Sequence, residues 1–158
     1  MNEPVVMLTI TRIEARHLAD LTLQFVDLLQ ATSVATDDPG LARLVPDAYP
    51  DDAQAAADFR HATERELLDR RCDDAQRVLT DLATGGTGPG GDTDVVDLAL
   101  SMEGARAWMR TLAALRLVIA SRVGITDEDA HDVDDPRFGV YDWLGYRLEG
   151  LVQSVDAN

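Results

Sequence analysis

The sequence predicts a mainly α-helical protein, built as a helical bundle with one short two-stranded β-ribbon. Three observations predict this fold class. Apolar residues recur at steps of three and four over several long segments, which is the spacing of one helix face. Ser, Thr and Asp, which commonly cap helices, precede most of these segments. Two β-branched runs, VVMLTI at 5–10 and VVDLAL at 95–100, each lead into a Ser or Thr cap and a helix.

The two β-branched runs are similar enough to indicate a weak internal repeat of two β–α units. If both runs are strands, they can pair with each other as a ribbon. Short apolar runs are ambiguous between strand and helix, so a chance similarity is the alternative interpretation.

The first helix is predicted to begin after the strand Val5–Ile10, at a capping box. Thr11 and Glu14 stand three residues apart, so the Thr11 hydroxyl can accept from the Glu14 N–H while the Glu14 carboxylate binds back. The apolar face then extends to about Leu29. Its predicted members are Ile13, Leu18, Leu21, Phe25, Leu28 and Leu29.

Two more helices are predicted before the Gly-rich segment. Asp38 caps a short helix with Pro39 at its first position, where the missing N–H of proline costs nothing. Asp51 stands three residues before Gln54 and opens a long helix. The predicted buried face of the long helix comprises Leu68, Cys72, Ala75, Leu79 and Leu82.

The segment GGTGPGG at 85–91 predicts a flexible loop within a single domain of residues 1–158, because neither half alone buries enough surface. The helix after the loop is expected to be the most buried one, and Thr126 is expected to cap a short acidic turn after it. A last helix is expected from about Val140. The predicted apolar residues of these two helices are Met102, Ala105, Trp108, Met109, Leu112, Leu115 and Ile119, then Trp143, Leu144, Leu148, Leu151 and Val155.

The chain of 158 residues has a formal net charge of −15, and its 14 positively charged side chains are all arginines. Duplex DNA is a polyanion, so a chain this acidic is not expected to bind nucleic acid alone. The charge fits a basic protein partner or a purely solubilising role. Without a signal-peptide pattern or an apolar stretch long enough for a membrane span, a cytoplasmic protein is expected. Homo-oligomerisation is left open.

Two pairs of residues have the spacing of metal ligands on a helix. Glu14 with His17, and Asp58 with His61, stand three residues apart, as in the Glu-x-x-His ligands of di-iron bundles. Glu14 is already explained as a cap partner, and an acidic chain produces such pairs by chance. We predict no metal ligand, no cofactor and no catalytic residue. A metal-dependent helical-bundle enzyme is the alternative.

The chain has one cysteine, Cys72, so it cannot form an intrachain disulfide. Its place on an apolar face is typical of a small buried hydrophobe. A redox role would require an exposed and activated thiol, and Cys72 is the redox candidate of this chain.

The segment Asp37–Arg60, DDPGLARLVPDAYPDDAQAAADFR, contains more polar residues than capping and turns require. Either these residues form an Arg–Asp network that holds the turn against the bundle, which we prefer, or they form a partner-binding surface. Arg116, within an otherwise apolar helix, is a candidate partner for one of the aspartates. The residues left unexplained by capping are Arg43, Asp47, Tyr49, Asp52, Phe59 and Arg60.

This segment resembles the signature of an actinobacterial family that was long catalogued as a domain of unknown function. Members of that family are often named oxidative-stress transcriptional regulators, the AosR family, and are typically encoded near the proteolytic adaptor ClpS. The resemblance extends over AWMRTLAALRLVIASRVGIT at 107–126 and VYDWLGYRLEGLV at 140–152, and so over nearly the whole chain.

The resemblance implies a non-enzymatic regulator of transcription that acts by contact with an extracytoplasmic-function sigma factor and RNA polymerase. The redox device of the family is a closely spaced cysteine pair, from which this chain departs. Cys72 would therefore act through another modification or an intermolecular bond, or not at all. The gene neighbourhood implies an alternative, an adaptor or partner protein in Clp-dependent proteolysis.

Overall fold

The computed structural model describes residues 5–32, 38–45, 53–86, 89–124 and 138–157, with the side chains of its long third helix from residue 62 onward. Within these ranges the fold is mainly α-helical with one two-stranded sheet, as predicted. The elements in chain order are β1 (Val5–Thr11), α1 (Arg12–Ala31), α2 (Pro39–Ala42), α3 (Ala53–Gly85), β2 (Val95–Ser101), α4 (Met102–Val123) and α5 (Gly139–Asp156).

The two β-branched runs pair as antiparallel strands, which confirms the predicted ribbon. Met7 lies opposite Ala99, and Thr9 lies opposite Asp97. Successive side chains of a strand point to opposite faces, so every second residue enters the core. The buried residues of the ribbon are Val6, Leu8, Ile10, Leu98 and Leu100.

Helix α1 begins with the predicted capping box, in which the Thr11 side chain accepts from the Glu14 N–H and the Glu14 carboxylate accepts from the Thr11 N–H. The prediction for Ile13 was wrong, because its side chain is 37% exposed. Ile13 precedes buried Ala15 by two residues, which places it on nearly the opposite side of a 3.6-residue helix. The buried residues of α1 are Ala15, Leu18, Thr22, Phe25, Val26 and Leu29.

Helix α4 lies at the centre of the structure, as predicted, with Trp108 fully buried. Its N-terminus is capped by Ser101, whose Oγ accepts from the Gly104 N–H. Helix α3 packs along α4 through the face that contains Leu68, Ala75 and Leu82. Cys72 and Leu79, predicted on the same face, are only partly buried. The core therefore joins the ribbon to all five helices.

The Gly-rich loop is shorter than predicted, because α3 continues through Gly85. Gly86 is buried and its N–H donates to the Leu82 carbonyl at 2.7 Å. After residues 87–88, which lie outside the described residues, the chain is joined to the start of α1 by backbone hydrogen bonds. Arg12 donates to the Asp94 carbonyl and Ile13 to the Asp92 carbonyl.

Helix α5 packs on α4 and against the side of β1. Leu144 and Leu151 are buried as predicted, while Trp143, Leu148 and Val155 are partly buried. None of the helices in the described residues is long and apolar enough to cross a membrane. The predicted caps Asp51 and Thr126 lie outside the described residues.

Candidate partner-binding site

The carboxylate of Glu14 joins β1, α1 and α5. Its Oε1 completes the capping box at Thr11 and also accepts from Arg147 Nη2 at 2.7 Å. Its Oε2 accepts from the indole Nε1 of Trp143 at 2.6 Å. Arg147 also donates from Nη1 to the backbone carbonyl of Thr9 at 2.9 Å. We call this group the Glu14 cluster, and it fixes α5 beside the strand.

The pKa of Glu14 shows that the cluster favours the ionised carboxylate. Burial raises this pKa, but hydrogen bonds from Arg147, Trp143 and Thr11 outweigh burial and lower it from 4.5 to about 2. The carboxylate is therefore charged at neutral pH and compensates the charge of Arg147. Neither side chain is strongly exposed, at 23% for Glu14 and 21% for Arg147.

An open groove of about 370 Å³ runs between β1 and α5, on the far side of β1 from β2. Leu8 and Leu151 lie among its apolar walls, and Arg147 of the Glu14 cluster lies at one side. The remaining residues that line this β1–α5 groove are Met7, Thr9, Tyr146, Glu149, Gly150, Gln153 and Ser154.

The outer face of the ribbon is apolar at both ends. Val5 is 46% exposed, Met7 54% and Val95 62%, while Ala99 opposite Met7 is also exposed. The middle of this face is polar, where Thr9 Oγ1 donates to Asp97 Oδ1 at 2.6 Å, and the cap residues Ser101 and Thr11 stand opposite Val5 and Val95. Tyr146 on α5 is 72% exposed and lines the same groove, so its ring continues the exposed apolar surface across the groove. Clustered apolar exposure of this kind is typical of interaction sites.

An Arg–Asp pair holds α2 against the bundle, and neither of its members is among the residues predicted for an Arg–Asp network in the segment 37–60. Asp38 caps α2 through the N–H groups of Gly40 and Leu41. The same carboxylate binds Arg122 of α4 at 2.7 and 3.1 Å. The hydrogen bond from Arg122 is the main cause that lowers the pKa of Asp38. Arg122 was missed because its partner stands 84 residues away.

Of the other predicted residues of segment 37–60, the structure describes the side chain of Arg43 alone. Arg43 is exposed at the end of α2. Asp47, Tyr49 and Asp52 lie outside the described residues, as do the side chains of Phe59 and Arg60 on α3. For these residues the structural network and the partner surface both stay predictions.

Arg116, the predicted partner of one aspartate, contacts α5. Its Nε donates to the Tyr141 carbonyl at 3.1 Å, and its guanidinium stacks 4.0 Å from the centre of the Tyr141 ring. Gly145 makes room for this arrangement, because a Cβ at that position would lie 2.8 Å from the Arg116 guanidinium. Arg116 thus helps to fix α5, which forms one wall of the groove.

Cys72 lies on α3, partly buried, where Gln30 Nε2 of α1 approaches its Sγ at 3.8 Å. It is the chain's only cysteine, so the sulfur is not engaged in an intrachain disulfide. Its partial burial is compatible with both sequence interpretations, a packing residue and a modifiable thiol.

The metal-ligand pairs gain no support from the geometry of Glu14, whose two oxygens are occupied by Thr11, Trp143 and Arg147. His17 lines a separate pocket of about 240 Å³ beside Trp143. The side chains of Asp58 and His61 lie outside the described residues. Among the described side chains, no three His, Cys, Asp or Glu residues are grouped to hold a metal ion.

None of the groove residues was among the site residues predicted from the sequence, and Arg147 and Glu149 are the charged ones. A signal for Arg147 was present, since it stands one helical turn after Trp143 and is the only cation of α5. The three acids on the same helix are Asp142, Glu149 and Asp156. A single arginine on an otherwise acidic helix indicates a specific partner, here Glu14.

The chain belongs to the family described as Domain of unknown function (DUF2017), whose model matches residues 2–155. The match covers nearly the whole chain and agrees with the expected domain-of-unknown-function family. No curated protein and no solved structure matches the chain.

Proposed function

We propose that this protein is a non-enzymatic, cytoplasmic regulator of transcription in the oxidative-stress response, which acts by contact with a sigma factor or RNA polymerase. The observation that carries the proposal is the apolar outer face of the ribbon, with Val5 and Met7 about half exposed beside the β1–α5 groove. Monomeric proteins rarely leave such surface uncovered unless a partner binds there.

The charge of the chain supports a protein partner in preference to DNA. A net charge of −15 repels the phosphate backbone, whereas basic surfaces of polymerase-associated proteins would be attracted to it. The sequence resemblance to the AosR family supports the choice of a sigma factor or polymerase as that partner. The partner would be steered electrostatically and then held by apolar contact.

The redox part of the proposal rests on Cys72. As the only cysteine, it can respond to peroxide through a sulfenic acid, a mixed disulfide with a small thiol or a disulfide to a second protein. Each of these changes enlarges or charges a partly buried side chain between α3 and α1, close to Gln30. Such a change would alter the packing of α1, and with it the Glu14 cluster at the start of the same helix.

The test is direct binding of the purified protein to core RNA polymerase and to extracytoplasmic-function sigma factors, in dithiothreitol and after peroxide. We expect saturable binding to one of them, changed by peroxide in the wild type and unchanged in Cys72→Ser. Absence of binding to all of them in both conditions refutes the proposal. Recovery of ClpS or a Clp chaperone from lysate would support the proteolysis alternative in its place.

Two substitutions that leave the net charge unchanged test whether the ribbon is the contact surface. Met7→Gln makes the outer face of the ribbon polar, and Leu23→Gln does the same at a similarly exposed position on α1, at 51% exposure against 54%. We expect Met7→Gln to weaken binding about tenfold and Leu23→Gln to leave it unchanged, because only the first removes apolar surface from the interface. If the two substitutions change the binding affinity equally, the contact surface lies elsewhere.

A further inference from the structure

The backbone N–H and C=O groups of successive residues in β1 point alternately toward β2 and toward the β1–α5 groove. In an antiparallel pair, residues that exchange both hydrogen bonds with the partner strand alternate with residues whose N–H and C=O point away. The Thr9 carbonyl accepts from Arg147, on the side away from β2. The Thr11 N–H donates to Glu14. By alternation, the N–H and C=O of Met7 and Val5 point to the same free edge.

Among the described residues, the backbone hydrogen-bonding groups of the free edge have partners at one end of β1 and none at the other. The Glu14 cluster binds the Thr9 carbonyl and the Thr11 N–H, at the end of the strand that enters α1. Within the part of the chain that the structure describes, no hydrogen bond is made to the outward N–H and C=O of Met7, which lines the groove. These two groups are positioned as the donor and acceptor that an added strand requires.

The side chains of β1 do not protect it as those of an edge strand usually do, and the bond from α5 to its edge is made at Thr9. Natural edges are blunted by charged side chains, proline or bulges. The strand VVMLTIT contains none of these, while β2 exposes Asp97 on the same face. An unprotected edge beside a groove can accept an extended segment whose alternate side chains lie against α5.

The charges of the residues that line the groove determine which charge the added segment must carry. Arg147 is neutralised by Glu14, which leaves Glu149 as the uncompensated charge among the groove residues. Asp156, a further acid of α5, and the net charge of −15 add to the same negative field. A second copy of this chain would carry the same net charge of −15 and the same acidic α5 beside its own β1 edge, so the two copies would repel each other.

From these observations we infer that the free edge of β1 is a strand-addition site for an extended, basic segment of a partner protein with apolar residues at alternate positions. The segment pairs with the N–H and C=O of Met7, and a Lys or Arg side chain binds Glu149. The apolar residues lie against the exposed side chains of Met7 and Tyr146 and fill the space beside Gly150, where even an added Cβ would meet no atom within 4 Å. This inference rests on the proposed function, since it gives the regulator's partner surface.

The experiment uses the full chain and synthetic ten-residue peptides labelled with a fluorophore. One peptide alternates valine with lysine, a second alternates valine with glutamate, and a third repeats the first with N-methylated backbone amides. Anisotropy gives the affinities at low and high salt, and the NMR signals of the Met7 and Thr9 amides locate the site. Sedimentation of the protein alone gives its oligomeric state.

Three variants of the chain complete the design. Met7→Pro removes the outward N–H without touching the β1–β2 ladder, because proline is tolerated on edge strands. Glu149→Lys reverses the charge in the groove. Asp73→Lys makes the same net charge change at an exposed position on α3 and is the matched control.

We expect the basic peptide to bind, with affinity falling at high salt, and the acidic and N-methylated peptides to bind at least tenfold more weakly. Met7→Pro and Glu149→Lys should each weaken binding tenfold or more, and Asp73→Lys less than threefold. If no peptide binds, or if Glu149→Lys and Asp73→Lys act equally, the inference fails. It also fails if the protein self-associates through an edge that Met7→Pro disrupts.

The outcomes separate this inference from the proposed function. If the basic peptide binds at Met7 but no sigma factor or polymerase binds, the strand-addition site stands and the regulator proposal falls. If a sigma factor or polymerase binds the wild type and Met7→Pro equally well, the regulator proposal stands and the strand-addition site falls.

Discussion

Trp143 and Arg147 stand one helical turn apart on α5 and donate hydrogen bonds to the same carboxylate, that of Glu14. This carboxylate also caps the first turn of α1. One side chain near the start of the chain thus fixes the cap of one helix and the position of another. The β1–α5 groove exists because this contact sets the distance between the strand and the helix.

Replacing Glu14 by Gln is expected to lower the free energy of unfolding by about 1–2 kcal/mol. The single amide oxygen can accept from Thr11 or from Trp143 but not from both, because these two donors bind different oxygens of the carboxylate, and Arg147 loses its charged partner. Chemical denaturation checks this value. Glu149→Gln is the control, since Glu149 is exposed and, among the described residues, accepts from Gln153 on its own helix. A loss as large as that of Glu14→Gln would contradict the role of the cluster.

The contribution of Glu14 to stability should depend on pH. Its pKa is about 2 in the folded protein against 4.5 unfolded, so the contribution is complete above about pH 4.5 and is lost as the pH falls toward 2. The difference in unfolding free energy between wild type and Glu14→Gln, about 1–2 kcal/mol at pH 6 after allowance for solvent screening, should approach zero near pH 2. A difference independent of pH would mean that the charge of Glu14 is unimportant.

Gly145 and Gly150 on α5 should respond in opposite ways to replacement by Ala. Gly150→Ala is expected to stabilise by about 0.5–1 kcal/mol, because alanine favours the helix and no atom lies within 4 Å of the added Cβ. Gly145→Ala places a Cβ 2.8 Å from the Arg116 guanidinium, which must leave the Tyr141 carbonyl. The loss of this hydrogen bond and of the stacking on Tyr141 offsets the gain in helix propensity. We therefore expect the free energy of unfolding to stay unchanged or to fall by about 1 kcal/mol.

A double-mutant cycle identifies the cause of that loss. In an Arg116→Ala background, Gly145→Ala should stabilise as much as Gly150→Ala does, because the clash is gone. Thermal unfolding of the four proteins measures the coupling. If Gly145→Ala remains unfavourable without Arg116, the cost comes from another contact.

Asp38 should have two separable contributions. Asp38→Asn keeps an acceptor for the first turn of α2 and loses the charge opposite Arg122, which is expected to cost about 0.5 kcal/mol at this partly exposed pair. Asp38→Ala also removes the cap and is expected to cost about 1–2 kcal/mol. Arg122→Gln should match Asp38→Asn in denaturation experiments, and equal losses for Asn and Ala would show that the cap contributes nothing.

Features set by neighbouring residues could be predicted from the sequence, and features set by distant contacts could not. The Thr11–Glu14 capping box depends on residues three apart, and Pro39 marks the start of α2 by its own geometry. The ribbon was predictable because its strands repeat one pattern. By contrast, Glu14 and Arg147 are separated by 133 residues, and no local pattern specifies their pairing.

The candidate site was predictable only in part for the same reason. Acidic charge and segment resemblance indicated a binding protein, but the groove depends on where α5 packs. Ile13 was misassigned because apolar character was used without its exact angle on the helix, and it lies nearly opposite Ala15. Arg116 was correctly recognised as unusual, yet its contact with Tyr141 is a property of the α4–α5 interface.

The sequence separation of the two ribbon strands also determines how long β1 is without its partner during synthesis. Thr9 and Asp97 stand 88 residues apart, so β1 leaves the ribosome roughly 4 to 18 s before its partner strand at about 5–20 residues per second. During that interval both edges of an uncharged, β-branched strand are unpaired. The nascent chain therefore presents β1 before the strand that pairs with it, and chaperone protection or partner capture during translation would act on this one strand.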